Sequence, residues 1–140
     1  MTDIAASLGL IQLKKIYKMQ KRREEIAFEY FAELKDLPIK LPSKPENGDM
    51  HSWHLFVIQL KNAKLSRDDL INFLFKNGIG CSVHYIPLHM HPYWRDKYNL
   101  SQKNFPNSQK AYENSLSLPI YSMMTDIETK KIICELQKLL

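Results

Sequence analysis

Gly78-Ile79-Gly80-Cys81-Ser82-Val83-His84-Tyr85-Ile86-Pro87-Leu88-His89-Met90-His91-Pro92 lies at the centre of the chain and holds three of its five histidines. Gly78 and Gly80 open backbone conformations closed to other residues, so a helix can stop and the chain can turn there. Residues 79–86 then predict a strand, with Cys81, Val83 and Tyr85 on one side and Ser82, His84 and Ile86 on the other. Pro87 keeps that strand from running on as a central one. An imidazole, a phenol and a Pro-bounded loop delivered to one place suit the wall of a binding cleft.

Upstream, Ser66-Arg67-Asp68-Asp69 supplies a helix cap with early acids. Leu70, Phe73 and Leu74 form its buried stripe, and Lys76-Asn77-Gly78 ends it. His51–Leu60 is rich in aromatic and β-branched residues. It reads as a strand covered on both sides, with Trp53, Leu55, Val57 and Gln59 opposite His54, Phe56, Ile58 and Leu60. The connection between this strand and the next allows parallel or antiparallel pairing. Pro38, Pro42, Pro45 and Asn47-Gly48 make 37–49 a loop, in which Pro38–Leu41 can form a short edge strand. Residues 2–34 read as helix, capped by Thr2 and started by Asp3. Its apolar residues step by three or four through Ile4, Leu8, Ile11, Ile16, Met19, Ile26, Tyr30 and Leu34. An offset at Lys14-Lys15 fits either one long bent helix or two helices meeting near Lys15.

Downstream, Met90–Phe105 predicts an irregular, aromatic-pinned segment with one helical turn, and Pro106–Ser115 a short helix with Pro near its start. Leu116–Pro119 reads as extended. Thr125-Asp126-Ile127-Glu128 is a capping box, and Ile127, Ile132, Ile133, Leu136, Leu139 and Leu140 supply the apolar face of the last helix. The fold class is therefore α+β: a long N-terminal helix, a small, mainly antiparallel sheet, and helices packed on it.

The 140 residues suffice for one domain with a modest core, and 44% hydrophobic with 11% aromatic content fits a globular protein. No apolar run approaches the ~20 residues of a membrane span, and the N-terminus lacks a secretory pattern, so the expected location is the cytoplasm. Cys81 and Cys134 form no disulfide framework and no metal-type pair, and read as reduced structural thiols. Much of the net charge of +5 sits in Lys14, Lys15, Lys18, Lys21, Arg22 and Arg23, a solvated helix face rather than a nucleic-acid surface. A mild positive field nonetheless suits a diphosphate-bearing substrate.

Three ordered stretches carry a family resemblance. Ser82-Val83-His84-Tyr85-Ile86-Pro87-Leu88-His89 resembles the Ser-Val-His-Tyr-x-Pro-Leu-His string near the C-terminus of the DegT/DnrJ/StrS family of sugar aminotransferases. Met1-Thr2-Asp3-Ile4-Ala5-Ala6-Ser7-Leu8-Gly9 is similar to that family's Met-Thr-Asp stretch. Leu118-Pro119-Ile120-Tyr121, followed by Thr125-Asp126, is similar to its closing element.

The resemblance implies the small C-terminal domain of a fold type I pyridoxal phosphate (PLP) enzyme. Residues 1–34 would link to a large domain absent from this chain, and 35–140 would form the small α+β domain. The intact enzyme would move an amino group from an amino-acid donor, commonly glutamate, to a nucleotide-linked keto-sugar, in amino-sugar or cell-surface polysaccharide synthesis. Its Schiff-base lysine lies upstream of the Met-Thr-Asp stretch, so this chain would carry no catalytic or cofactor-binding residue and bind no cofactor alone. The family's Asn and Arg just before that Met are also missing. An excised piece, a frame begun at an internal methionine and a stand-alone protein all remain open. The alternative function is a free-standing, non-catalytic binding or dimerisation module derived from that domain, which would dimerise through the long helix.

Substrate-side roles are expected for His84, Tyr85 and His89. Imidazole and phenol both donate and accept hydrogen bonds to sugar hydroxyls or phosphate oxygens, and the family places the His-Tyr pair beside the nucleotide-sugar. A metal site built from His84, His89 and His91 is disfavoured, because no carboxylate or cysteine completes a recognisable spacing. A Cys81–His84 nucleophile and base is disfavoured too, since their spacing on a strand sends them to opposite faces. A homodimer is expected, without nucleic acid or membrane partners.

Overall fold

The computed structural model describes residues 1–61 and 64–140. Helix α1 (Asp3–Glu33) is one uninterrupted helix, which decides between the two readings of the Lys14-Lys15 offset. Thr2 caps it by accepting from the Ala5 N–H at 3.3 Å. Strands β1 (Ile39–Lys40), β2 (Phe56–Leu60) and β3 (Ser115–Leu118) form a sheet in that order. Both pairings are antiparallel, with Ile39 opposite Leu60, Phe56 opposite Leu118 and Ile58 opposite Leu116. Helices α2 (Arg67–Lys76), α3 (Pro92–Lys97), α4 (Pro106–Asn114) and α5 (Asp126–Leu139) complete the described elements. The α+β class read from the sequence is the architecture observed.

The sheet has two unlike faces, and alternation along the strands explains why. Phe56, Ile58 and Leu60 of β2 and Leu116 and Leu118 of β3 are buried in one apolar core. The second half of α1 (Ile26, Ala27, Tyr30, Phe31, Leu34), α2 (Leu70, Leu74) and α5 (Ile132, Ile133, Leu136) belong to the same core. The residues between them in the strands, Val57, Gln59, Ser115 and Ser117, take the reverse face.

Both ends of α2 and the start of α5 have a local cause. Ser66 and Asp69 form a capping box on α2. Gly78, at φ +74°, closes the same helix as a Schellman motif, with Gly78 N–H donating to Phe75 O and Ile79 N–H to Leu74 O, both at 2.9 Å. On α5, Thr125 Oγ1 accepts from Glu128 N–H while the Glu128 carboxylate accepts from Thr125 N–H at 2.7 Å. That backbone donor, joined by the Thr125 and Tyr121 hydroxyls, holds the Glu128 carboxyl below its ordinary range. Thr125→Ala is expected to cost about 1 kcal/mol in urea denaturation at neutral pH. A carboxyl with a lowered folded pKa stabilises above its unfolded value of about 4.3 and stops doing so as the pH falls through the folded one. The gap between variant and wild type should therefore narrow on acidification.

Several expectations fail in instructive ways. Residues 79–86 form no strand; one bridge, Ser82 to Ser117, is all that pairs. β3 is only four residues long and already carries β2 along one edge, so the other edge offers little ladder, and Pro119 ends it. The strand expected over 51–60 starts at Phe56. Trp53 sits at φ +44°, which breaks the alternation and turns its indole into the core beside Phe31 and Phe56. Leu55 is consequently exposed, and Val57 and Gln59 are only half covered, so β2 is not sealed on both sides. Ile127, assigned to the apolar face of α5, is 81% exposed. Residues 90–105 hold more helix than one turn: α3 and a short 3₁₀ turn at Gln102–Asn104, preceded by another at Leu88–Met90.

Candidate functional site

The reverse face of the sheet carries the cleft. Ser82 and Ser117 exchange both backbone hydrogen bonds, at 2.8 and 3.3 Å, which holds 82–84 along the free edge of β3. His84, two residues on, is then a diagonal cross-strand neighbour of Ser117, and its Nε2 lies 2.9 Å from Ser117 Oγ. Across from this edge runs α4. His84, Tyr85, Pro87, Ser108, Ala111, Tyr112 and Ser115 together line a cleft of about 330 Å³.

Charge and packing fix the far wall. The Arg67 guanidinium lies 4.9 Å from the centre of the Tyr112 ring, a cation–π contact, and donates to the Tyr112 carbonyl. That carbonyl belongs to the last turn of α4, so the cation also meets the negative end of the helix dipole. Tyr112 is thereby held from behind by the first turn of α2.

Of the three residues expected at the site, the cleft brings two together. His84 is half-buried, and Tyr85, 98% exposed, projects from the rim. His89 does not line the cleft. It is 4% exposed, stacked on Phe105 with ring centres 4.9 Å apart and bonded to the Gln109 side chain at 3.0 Å. Its position ties the 88–90 turn to α4, behind the cleft wall. His91 bonds the Ile86 carbonyl at 3.1 Å. Among the described residues no group of three or more His, Cys, Asp or Glu is placed to hold a metal ion. Cys81 is half-buried, and burial pushes its thiol up to about 11, which suits packing rather than nucleophilic attack at neutral pH.

Sequence reasoning missed Ser115, Ser117, Ser108 and Tyr112. The signal was there in Ser115-Leu116-Ser117-Leu118, a strict alternation that sends leucines to the core and serines to the other face. A larger groove of about 730 Å³ runs beside α1, lined by Lys15, Lys18, Lys21 and Arg22 among others. Its lysines are exposed, and the Arg22 guanidinium is already taken up by Asp126, Glu25 and the Met124 carbonyl, so the cation that the fold fixes there is not free to recognise a ligand.

Pyridoxal phosphate, the cofactor the sequence resemblance implies, calls for a lysine whose amine is neutral enough to form an imine, and burial is the usual means. All lysines of this chain are exposed. The described residues therefore do not by themselves fit the cofactor.

The profile of the DegT/DnrJ/EryC1/StrS aminotransferase family matches residues 1–137. The chain is 40% identical to the spore coat polysaccharide biosynthesis protein SpsC of Bacillus subtilis, over 95% of this chain and 35% of that protein. The Streptococcus pneumoniae protein Spr1654, assigned as a sugar aminotransferase and solved in its PLP form, superposes with a TM-score of 0.86 at 30% identity. That match covers 100% of this chain and 37% of the pneumococcal one. PseC of Helicobacter pylori, an aminotransferase involved in pseudoaminic acid biosynthesis, superposes at 0.84 with 27% identity, covering 99% and 37%. The chain thus spans little more than a third of the length of these relatives.

Proposed function

The chain belongs to the DegT/DnrJ/EryC1/StrS aminotransferase family, and from that premise we propose that it is the substrate-side part of an aminotransferase acting on a nucleotide-linked keto-sugar. Residues 1–34 are the link to the remainder of the enzyme, and 35–140 are its small domain. The intact enzyme uses pyridoxal phosphate and an amino-acid donor, works as a homodimer, and serves amino-sugar or cell-surface polysaccharide synthesis. Alone, the chain does not transaminate, because none of its lysines grips the cofactor.

The observation that carries this reading is the cleft on the polar face of the sheet, where His84 is held against Ser117 opposite Tyr112. Its volume is at the small end of the roughly 300–1,000 Å³ usual for ligand sites, which fits one wall of a site completed by other residues. His84 and Tyr85 face the substrate directly. His89 serves the substrate side by bracing the wall that carries them.

The test is a titration of the ¹⁵N-labelled chain with UDP-glucose and, separately, dTDP-glucose, followed by amide and imidazole resonances. Saturable shifts centred on His84, Tyr85, Ser108, Tyr112 and Ser115 are expected, with a Kd of about 1 mM because one wall alone supplies little binding energy. Shifts centred elsewhere, or none with either probe, would count against the assignment.

One observation favours the free-standing module as a second reading. The first half of α1 leaves Ile4 (76%), Leu8, Ile11 and Ile16 exposed, an apolar stripe that needs a cover. A sedimentation-defined dimer that also binds a nucleotide-sugar tightly would support the module. A chain that self-associates and binds either probe only weakly, with a Kd of about 1 mM, would support the enzyme part.

A further inference from the structure

We propose that Ser117 is a positioning residue whose hydroxyl donates to Nε2 of His84, fixing that ring as the Nδ1–H tautomer and so presenting a hydrogen-bond donor to the cleft. Its functional half rests on the reading of this cleft as the nucleotide-sugar wall; its chemical half does not.

Ser117 offers a backbone N–H, a backbone carbonyl and one side-chain hydroxyl to hydrogen bonds. The residue is 4% exposed. Its backbone N–H donates to Ser82 O and its carbonyl accepts from Ser82 N–H, so both backbone groups are engaged. Its hydroxyl has one contact among the described residues, His84 Nε2 at 2.9 Å. A hydroxyl brings one proton and two lone pairs, and a neutral imidazole brings one donor nitrogen and one acceptor nitrogen. If Nε2–H donated to Oγ, the serine proton would be a buried donor with no acceptor, the costlier arrangement. If Oγ–H donates to Nε2, the only unfilled capacity is an oxygen lone pair, which is far more easily tolerated.

The ring proton then sits on Nδ1, which makes no hydrogen bond among the described residues, on a side chain that lines the cleft. A donor fixed there selects an acceptor oxygen, from a phosphate or from a sugar hydroxyl or carbonyl, over a ligand amine. Ser117 thus sets what His84 can recognise without touching the ligand.

Long-range ¹H–¹⁵N correlation of the histidine rings at pH 8.5 reads the tautomer directly. His84 is expected as a single Nδ1–H species in the wild type. Ser117→Ala should shift it to a mixture of the two tautomers, and Ser117→Thr, which keeps the hydroxyl, should restore the single species. A purely structural Ser117 would leave the tautomer unmoved in a folded Ser117→Ala variant, and that result would overturn the proposal. An Nε2–H ring or a mixture in the wild type would overturn it as well, whether or not either variant folds. Failure of the nucleotide-sugar titration with the Nδ1–H ring intact would contradict only the function proposed for the cleft.

Discussion

Phe56→Ala is expected to cost about 3–5 kcal/mol, enough to bring a domain of ordinary stability, about 5–15 kcal/mol, close to unfolding. Phe56 is fully buried and stands at the meeting point of the core. Its ring centre lies 5.0 Å from Tyr30, 5.2 Å from Phe31 and 5.9 Å from Trp53. Those neighbours come from α1 and from the segment before β2, so the ring joins the helix to the sheet. Rings held by a helix and by the segment before the strand collapse poorly into a void, which puts the cost at the high end for an aromatic truncation. Urea denaturation monitored by circular dichroism measures it. A loss under about 1 kcal/mol would mean that the helix and sheet are joined elsewhere.

Tyr30→Phe has the next largest expected effect, and pH separates its two parts. The Tyr30 hydroxyl, wholly enclosed, donates to the Pro119 carbonyl at 2.8 Å. Removing it leaves that acceptor short of a partner, at a cost of about 1–3 kcal/mol near neutral pH. Burial pushes the Tyr30 phenol well above its ordinary range, with smaller contributions from Cys81, Glu29 and Tyr121. A raised folded pKa contributes stability fully present below the unfolded value of about 10, and lost as the pH rises through the folded value. Wild type should therefore lose its advantage over the variant above about pH 10. Parallel stability curves across that range would show that the phenol is not enclosed.

Sequence patterns read well where the physics is local and stop where distant packing decides. Caps were legible because their physics is local: Thr2, Ser66 and Thr125 each bond a backbone group within three residues. The stop at Gly78 was legible for the same reason. Trp53 was not, because its positive φ is stabilised by packing against Phe31 and Phe56, residues that no pattern of alternation connects to it. The missing strand at 79–86 has a similar cause. Its own residues favour extension, but the length of the β3 edge, a distant element, decides how much of it pairs.

The site shows the same division. The His-Tyr pair stood out by residue type and by family resemblance, and the structure sets both at one cleft. His89 looked equivalent to His84 in sequence, yet Phe105 and Gln109 enclose it. Ser117 drew no attention because serine in a strand is ordinary. Its role depends on the Ser82 bridge, which brings a residue 33 positions away within hydrogen-bond distance.

The central claim is that this chain supplies a substrate-facing wall and no amine for the cofactor. Incubation with pyridoxal phosphate, borohydride reduction and peptide mass spectrometry tests it most directly. All the lysines are exposed, so the account predicts sparse, sub-stoichiometric labelling scattered over many of them. One lysine modified stoichiometrically and selectively would contradict it.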